Sequence, residues 1–279
     1  MILFWTRLRK AILGAYDHSA FLYAKAAAYS ALLAFLPVLT TTTAILVHFN
    51  AAAVSRRITA VLFKVAPAGV EELLRIQMTQ QGSRPLAVPI AASILAFWAA
   101  SGVMMSLMEG FQAAYQRKSS RSVLHERWIS IWLVVISIGP VLGATVLMIF
   151  GDWMETRALM LLGLLDAGES VAGGVKFLSM AVRYAVSAGA IVAVAGLLYK
   201  YGPDAGTNRR VWQGSLLATA LWLLITSIFG WYVRNISNYN VLYGTIGAVM
   251  ALCVWMFLLA LSAMVGCEFN IQSDPRKKR

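Results

Sequence analysis

The chain has 279 residues, 59% of them hydrophobic and 13% charged, with a net charge of +12. A soluble globular domain is nearer roughly 45–50% apolar and about 25% charged. The excess apolar residues lie in long blocks and not at the spacing of a soluble core, so an ordinary water-soluble enzyme is excluded and a chain crossing a bilayer several times is expected.

Basic residues at positions 7, 9 and 10 precede the first apolar block. That block is longer than a signal core of about 7–15 residues, and more follow it. Met1–Tyr16 is therefore expected to be an uncleaved amphipathic helix lying on the inner membrane surface.

A bilayer core about 30 Å thick needs about 20 apolar residues of helix. Six stretches qualify: Ala27–Val47, Leu86–Met108, Trp128–Phe150, Phe177–Tyr199, Val211–Val233 and Val241–Cys267. Helix is required because an open strand would leave polar backbone in lipid. The first stretch contains Pro37, which removes a backbone donor, and Thr40–Thr43, whose hydroxyls are expected to answer the freed carbonyls. Between the first two stretches, helical spacing on either side of Pro67 predicts two short amphipathic helices on the outer surface. Arg117–Arg127 reads as a solvated basic loop that fixes orientation. The third stretch carries Gly139-Pro140-Val141-Leu142-Gly143, a small-residue face suited to close helix packing. Gly151–Lys176 reads as a glycine-rich loop, acidic on balance, with Ala158–Leu165 interfacial.

The fourth stretch holds Arg183 about seven residues inside its outer end. Insertion scales charge roughly 2.5–3.5 kcal/mol for a central arginine and less towards the interface. It is expected either to snorkel to the headgroups or to face a cavity and hold an anion such as a lipid phosphate. From Asn235 to Cys267 no residue is charged, and then Glu268 follows. A helix C-terminus disfavours an anion, so Glu268 needs a cationic partner near the inner surface. Arg209 and Arg210 are the candidates, and proton or substrate coupling is the alternative role. Glu109, at the inner end of the second stretch, has the same two readings.

With six spans both termini share a side. Fifteen of the 24 Lys and Arg then fall on that side and eight on the other, which predicts a cytoplasmic location for both ends. The basicity thus reflects topology and contact with anionic headgroups, and no nucleic-acid partner is expected. The three histidines lie near different span ends, and the acids are scattered without D-x-D, H-x-x-x-H or G-x-S-x-G spacing. No enzyme activity, metal or cofactor is expected on this reading. Cys253 and Cys267 read as small apolar fillers.

Several stretches carry a resemblance: AAAYSALLAFLPVL (26–39), FWAASGVMMSLMEGFQAAY (97–115), Arg183 within MAVRYAV, LLYKYGPD (197–204), and YNVLYGTIGAVMALCVWMFLLALSAMVGCEFN (239–270). The chain resembles the YihY/virulence factor BrkB family of bacterial inner-membrane proteins, long mislabelled ribonuclease BN. Tyr243-Gly244, Trp255 and Gly266-x-Glu268 stand where the family pattern has them. At 109–115 the family usually has an asparagine before Ala-Tyr, and this chain departs from that. The resemblance implies six spans, cytoplasmic ends, and links to envelope integrity and to export of lipid-linked envelope precursors. It supplies no catalytic residues.

The expected fold is all-α, a polytopic membrane protein of six transmembrane helices with short amphipathic helices on both surfaces. It forms one membrane domain over residues 1–279: a cytoplasmic amphipathic segment (1–25), a six-span bundle (26–270) and a basic tail (271–279). The expected function is transport or flipping of an amphipathic lipid or anionic envelope component, with a non-transporting scaffold as the alternative. Membrane lipids and envelope-assembly proteins are the expected partners. The candidate residues are Arg183 for anion contact, Pro37 for helix opening, Tyr29, Tyr243 and Gly244 for packing or polar lining, and Glu268 for an inner-side ion pair.

Overall fold

The structure is a computed structural model and describes residues 2–48, 87–116, 120–161, 173–204, 211–236 and 244–273. Its helices are α1 (Ile2–Asp17), α2 (Ala20–His48), α3 (Ala87–Ala114), α4 (Val123–Leu161), α5 (Gly173–Tyr201), α6 (Trp212–Ile236) and α7 (Gly244–Ser273). Helices α2 to α7 each hold an apolar window long enough to cross a membrane. The protein is an all-helical membrane protein with six such helices, and no strand occurs among the described residues. The segments expected to form surface helices between α2 and α3 lie outside the described residues, as do Arg117, Lys118, Arg209, Arg210 and Tyr243.

Each helix runs past the C-terminal end of its apolar stretch. The largest overrun is at α4. Residues 151–161 continue as helix and do not begin a loop, since Gly151 is tolerated inside an established helix. At about 1.5 Å per residue, a helix of 39 residues is near 58 Å long and reaches well past a 30 Å hydrocarbon core.

Adjacent helices pair antiparallel. Helices α2 and α3 stay in register along most of their length: Gly110 lies against Tyr23, Gly102 against Ser30, and Ser93 donates to the Thr41 hydroxyl at 3.3 Å. Helices α6 and α7 pair likewise. The Trp222 indole donates to the Leu259 carbonyl (2.7 Å), and Phe229 stacks on Trp255. Helix α7 also touches α1, α2 and α3, while α4 packs on α3 and α5.

The buried core gathers at the end of the bundle that carries the α1–α2 elbow. It contains Ala24, Leu107, Met108, Phe111, Leu133, Leu198, Tyr199, Met264 and Cys267. Tyr199 crosses edge-on to Phe111 and donates its hydroxyl to the Ala263 carbonyl at 2.8 Å. Large apolar side chains such as Ile94, Trp98, Val135, Leu223 and Ile228 point outward, the arrangement expected when the surrounding solvent is hydrocarbon.

The glycines that allow close crossing differ from those the spacing suggests. Gly139 and Gly143 have open space beside them, so that small-residue face contacts no other helix among the described residues. The close crossing is at Gly214 and Gly266. A methyl group on Gly266 would come 2.8 Å from the Gly214 carbonyl oxygen. Asn270 completes the junction by accepting the Gly214 N–H at 2.6 Å, which satisfies a donor in the first turn of α6.

Around Pro37 two of the threonine hydroxyls, Thr40 and Thr42, bond to carbonyls other than the one the proline leaves free. The ring removes the donor to Leu33, but Thr40 and Thr42 bond to the Leu36 and Val38 carbonyls, at 3.0 and 2.8 Å. These are ordinary one-turn back-bonds.

Candidate functional site

At the end remote from the α1–α2 elbow, α4 and α5 hold a buried pair of opposite charges. Ser179 and Arg183 are four residues apart on α5 and so face the same way. Both meet Glu155 of α4. Ser179 donates its hydroxyl to Glu155 Oε2, and Arg183 Nη2 stands 3.6 Å from the same oxygen. Arg183 is 9% exposed. It fits because Gly151, one turn before Glu155, has no side chain; a methyl there would be 2.7 Å from Arg183 Nη1.

The pair lies about where the membrane interface should be. Glu155 is seven residues beyond Met148, where the apolar window of α4 ends, hence roughly 10 Å further along the helix. Beside it Trp153 is exposed and carries the Arg157 guanidinium 5.9 Å from its ring centre. Tryptophan and arginine of this kind are typical of the interfacial belt. Arg183 is 18 residues before Tyr201, about 27 Å along α5 from the elbow end.

The carboxylate of Glu155 is incompletely satisfied among the described residues. A charge-assisted N–H···O bond is roughly 2.7–2.9 Å long, and 3.6 Å is too far for one. Glu155 Oε1 is buried with no hydrogen-bond partner among the described residues. Glu155 escapes sequence inspection because Gly151 and Asp152 suggest a loop. The signal available was the absence of any proline between Pro140 and the end of α4.

At the opposite end, Glu268 is 1% exposed and meets His18. His18 Nδ1 donates to Glu268 Oε1 at 2.5 Å, and the Gln116 amide donates to His18 Nε2 at 2.8 Å. A methyl on Gly14 would fall 2.8 Å from Glu268 Oε2, so α1 can press its backbone onto the carboxylate. Ser19 and Gln116 adopt left-handed backbone angles (φ 58° and 53°), which turn the chain after α1 and after α3 and place both partners around the acid. The described partner of Glu268 is therefore His18, whereas Arg209 and Arg210 lie outside the described residues. The signal for His18 was topological: it is a histidine on the same side of the membrane as Glu268.

The described part of the expected loop, residues 120–127, is tied down more firmly than a solvated loop. Arg121 Nη1 donates to the Gly202 carbonyl at 3.1 Å, and Arg121 Nε lies 3.6 Å from Asp204. Asp204 also accepts from the Ser120 N–H and hydroxyl, at 3.0 and 2.6 Å. Arg127 already belongs to α4 and covers the Trp98 ring at 5.1 Å. At the departure from the family pattern, Gln112 donates to Glu126 at 2.9 Å.

The remaining candidates do not converge. Tyr29 is exposed on α2, Pro37 lies within that helix, and Gly244 is the first residue of α7. Glu109 is exposed. Cys267 is buried in the core and Cys253 is partly buried. Among the described residues, no group of three or more His, Cys, Asp or Glu is placed to hold a metal ion.

Six apolar helices with polar pairs at both ends define an integral membrane protein of the polytopic helical class. Residues 11–279 match the Virulence factor BrkB family, and the chain belongs to that family. It is 30% identical over 186 residues to YfkH of Bacillus subtilis (strain 168), a protein named as ribonuclease-like; the match covers 66% of this chain and 65% of YfkH. It is 24% identical over 246 residues to a UPF0761 membrane protein of Janthinobacterium sp. (strain Marseille), covering 85% and 52%. A 62-residue match to a UPF0761 membrane protein of Alkalilimnicola ehrlichii is 39% identical and covers 22% and 14%. The chain thus spans less than two thirds of the length of these relatives. No solved structure matches it.

Proposed function

We propose that this protein moves, or assists the movement of, an amphipathic anionic lipid or similar anionic envelope component through the bacterial inner membrane, with both ends of the chain cytoplasmic. The observation that carries the reading is the Arg183–Glu155 pair. A buried ion pair often contributes little net stability once desolvation is counted. Replacing it with apolar side chains would favour the fold, so its presence argues for use. Its depth near the interface puts the guanidinium within reach of a lipid phosphate, which it can grip with two parallel N–H donors.

The test is lipid translocation in proteoliposomes, read by dithionite quenching of fluorescent phosphatidylglycerol and phosphatidylcholine. The double variant Arg183→Gln/Glu155→Gln removes both charges and leaves neither buried alone. The wild-type protein should accelerate phosphatidylglycerol movement, and the double variant should lose about tenfold or more of that acceleration, a difference of roughly 1.4 kcal/mol in barrier. Equal rates in the two proteins would overturn the reading.

The close-packed end favours a second reading, a non-transporting scaffold for envelope-assembly proteins. A wild-type protein that moves no lipid, yet is needed for envelope integrity in a deletion strain, would select it. We read the protein as non-enzymatic because its acids and histidines are scattered through the sequence. The ribonuclease-like name belongs to the relative, and cleavage of tRNA precursors by the purified chain with metals supplied would bring that activity here.

A further inference from the structure

Resting on the lipid-handling reading, we propose that the face of α5 around Arg183 seats one phospholipid whose headgroup carries hydroxyls. Glu155 Oε1 accepts from a headgroup hydroxyl, Arg183 draws the phosphate by its charge, and Ser187 donates to an ester carbonyl of the glycerol backbone. Ser179, Arg183 and Ser187 recur every four residues on α5, so they share a face at intervals of roughly 6 Å along the helix. With both ends of the chain cytoplasmic, α5 runs inward, and Ser187 is the deepest of the three. Two buried oxygens along this line have no hydrogen-bond partner among the described residues: Glu155 Oε1, and Ser187 Oγ one turn below Arg183. Glu155 meets Ser179 and Arg183 through its other oxygen.

A buried polar group left unpaired costs free energy, and hydrocarbon offers no water to relieve it. Alanine at 187 would carry no such cost. A ligand that brings the missing partners accounts for both oxygens together. An ionised carboxylate only accepts, so the ligand must bring a donor to Glu155. A hydroxyl can donate, so the ligand can bring an acceptor to Ser187. From the outer surface inward, the protein presents an acceptor, a cation and a donor. A phospholipid with a hydroxylated headgroup presents a donor, an anion and an acceptor in the same order. A choline headgroup has no donor for Glu155. Arg183 keeps its present partners, because the two oxygens that take the ligand lie on either side of it. Both oxygens are covered by protein, so side chains at the seam must shift as the lipid seats.

The experiment measures binding to the purified protein in detergent micelles. The probes are diester phosphatidylglycerol, its diether analogue, phosphatidylethanol and phosphatidylcholine. Phosphatidylethanol keeps the charge of phosphatidylglycerol and lacks its hydroxyls, whereas the diether lacks only the carbonyls. Wild type should bind diester phosphatidylglycerol about three- to tenfold more tightly than either of these two, the worth of one hydrogen bond. Ser187→Ala should lose the ester preference and keep the hydroxyl preference. Glu155→Gln should do the reverse in part, since a neutral amide oxygen accepts more weakly than a carboxylate. Without added lipid, Ser187→Ala should melt no lower than wild type, because the hydroxyl it removes makes no bond within the protein. Glycerol phosphate in excess should not displace the lipid; displacement would overturn a lipid as the ligand.

Suppose wild type prefers phosphatidylglycerol to phosphatidylcholine but binds the diester, the diether and phosphatidylethanol alike. The three-part seat is then overturned, and the lipid-handling reading stands. An ester preference that survives Ser187→Ala, a lower melting temperature of that variant, or an undiminished hydroxyl preference in Glu155→Gln would also overturn the seat. If wild type binds phosphatidylglycerol no more tightly than phosphatidylcholine, the lipid-handling reading itself fails. The two failures are therefore told apart.

Discussion

Replacing Gly266 by alanine tests the packing argument at its tightest point. The added methyl would stand 2.8 Å from the Gly214 carbonyl oxygen and 2.9 Å from the Ala218 Cβ, and it would also meet the Tyr199 hydroxyl. Ordinary contacts are about 3.3–3.6 Å for C···O and about 3.5–4.0 Å for C···C. Helices α6 and α7 must therefore separate by roughly 0.5–1 Å, which forfeits a quarter to a half of each dispersion contact across the seam. Overpacking of this kind costs about 1–3 kcal/mol. The separation also stretches the Gly214 N–H bond to Asn270 and the Tyr199 bond to Ala263, each contributing about 0.5–1.5 kcal/mol. Alanine regains about 0.5–1 kcal/mol of helix preference over glycine. The net expectation is a loss of roughly 2–4 kcal/mol. Gly143→Ala is the control: nothing lies within 4 Å of that position, and unlike Gly139 it does not precede a proline, so only the gain of about 0.5–1 kcal/mol remains. Both are read by reversible SDS unfolding in mixed micelles. Equal stability of the two variants would refute the crossing at Gly214 and Gly266.

The His18–Glu268 contact joins residues 250 positions apart. His18→Ala removes one hydrogen-bond partner of a buried carboxylate and should cost about 1–3 kcal/mol, whereas His18→Ala/Glu268→Gln should recover at least about 1 kcal/mol of that; strictly additive losses in the cycle would show the contact to be idle. Tyr199→Phe keeps the ring against Phe111 and removes the hydroxyl bond to Ala263; a loss of about 1 kcal/mol in the same unfolding assay is expected, and no change would mean the carbonyl finds another donor. Arg121→Ala releases the Ser120 segment from the end of α5, so limited proteolysis should cut around residues 116–122 several times faster than in wild type, and an unchanged digest would argue that Ser120–Asp204 suffices alone.

Much of the architecture could be read from the sequence, because hydrocarbon enforces helix wherever about 20 apolar residues run together. All six membrane-length helices follow from that rule, while the helical start of the chain follows from its amphipathic pattern. The polar sites were only half legible. Arg183 and Glu268 stand out in the sequence because charge among apolar residues is costly. Their partners do not stand out: Glu155 and His18 sit in ordinary polar stretches, and only the helix continuing through Gly151 and the left-handed turn at Ser19 carry them to their acid or base.

Periodicity and composition are local properties, so the sequence alone determined the six apolar helical segments that can cross a membrane, though not that α4 continues through residues 151–161. Which faces meet is decided by the packing of all the helices at once. Gly139 and Gly143 have the spacing of a contact and make none among the described residues, while Gly214 and Gly266, 52 positions apart, support a close backbone crossing. A glycine states only that backbone can come near; the tertiary structure alone supplies the backbone that does.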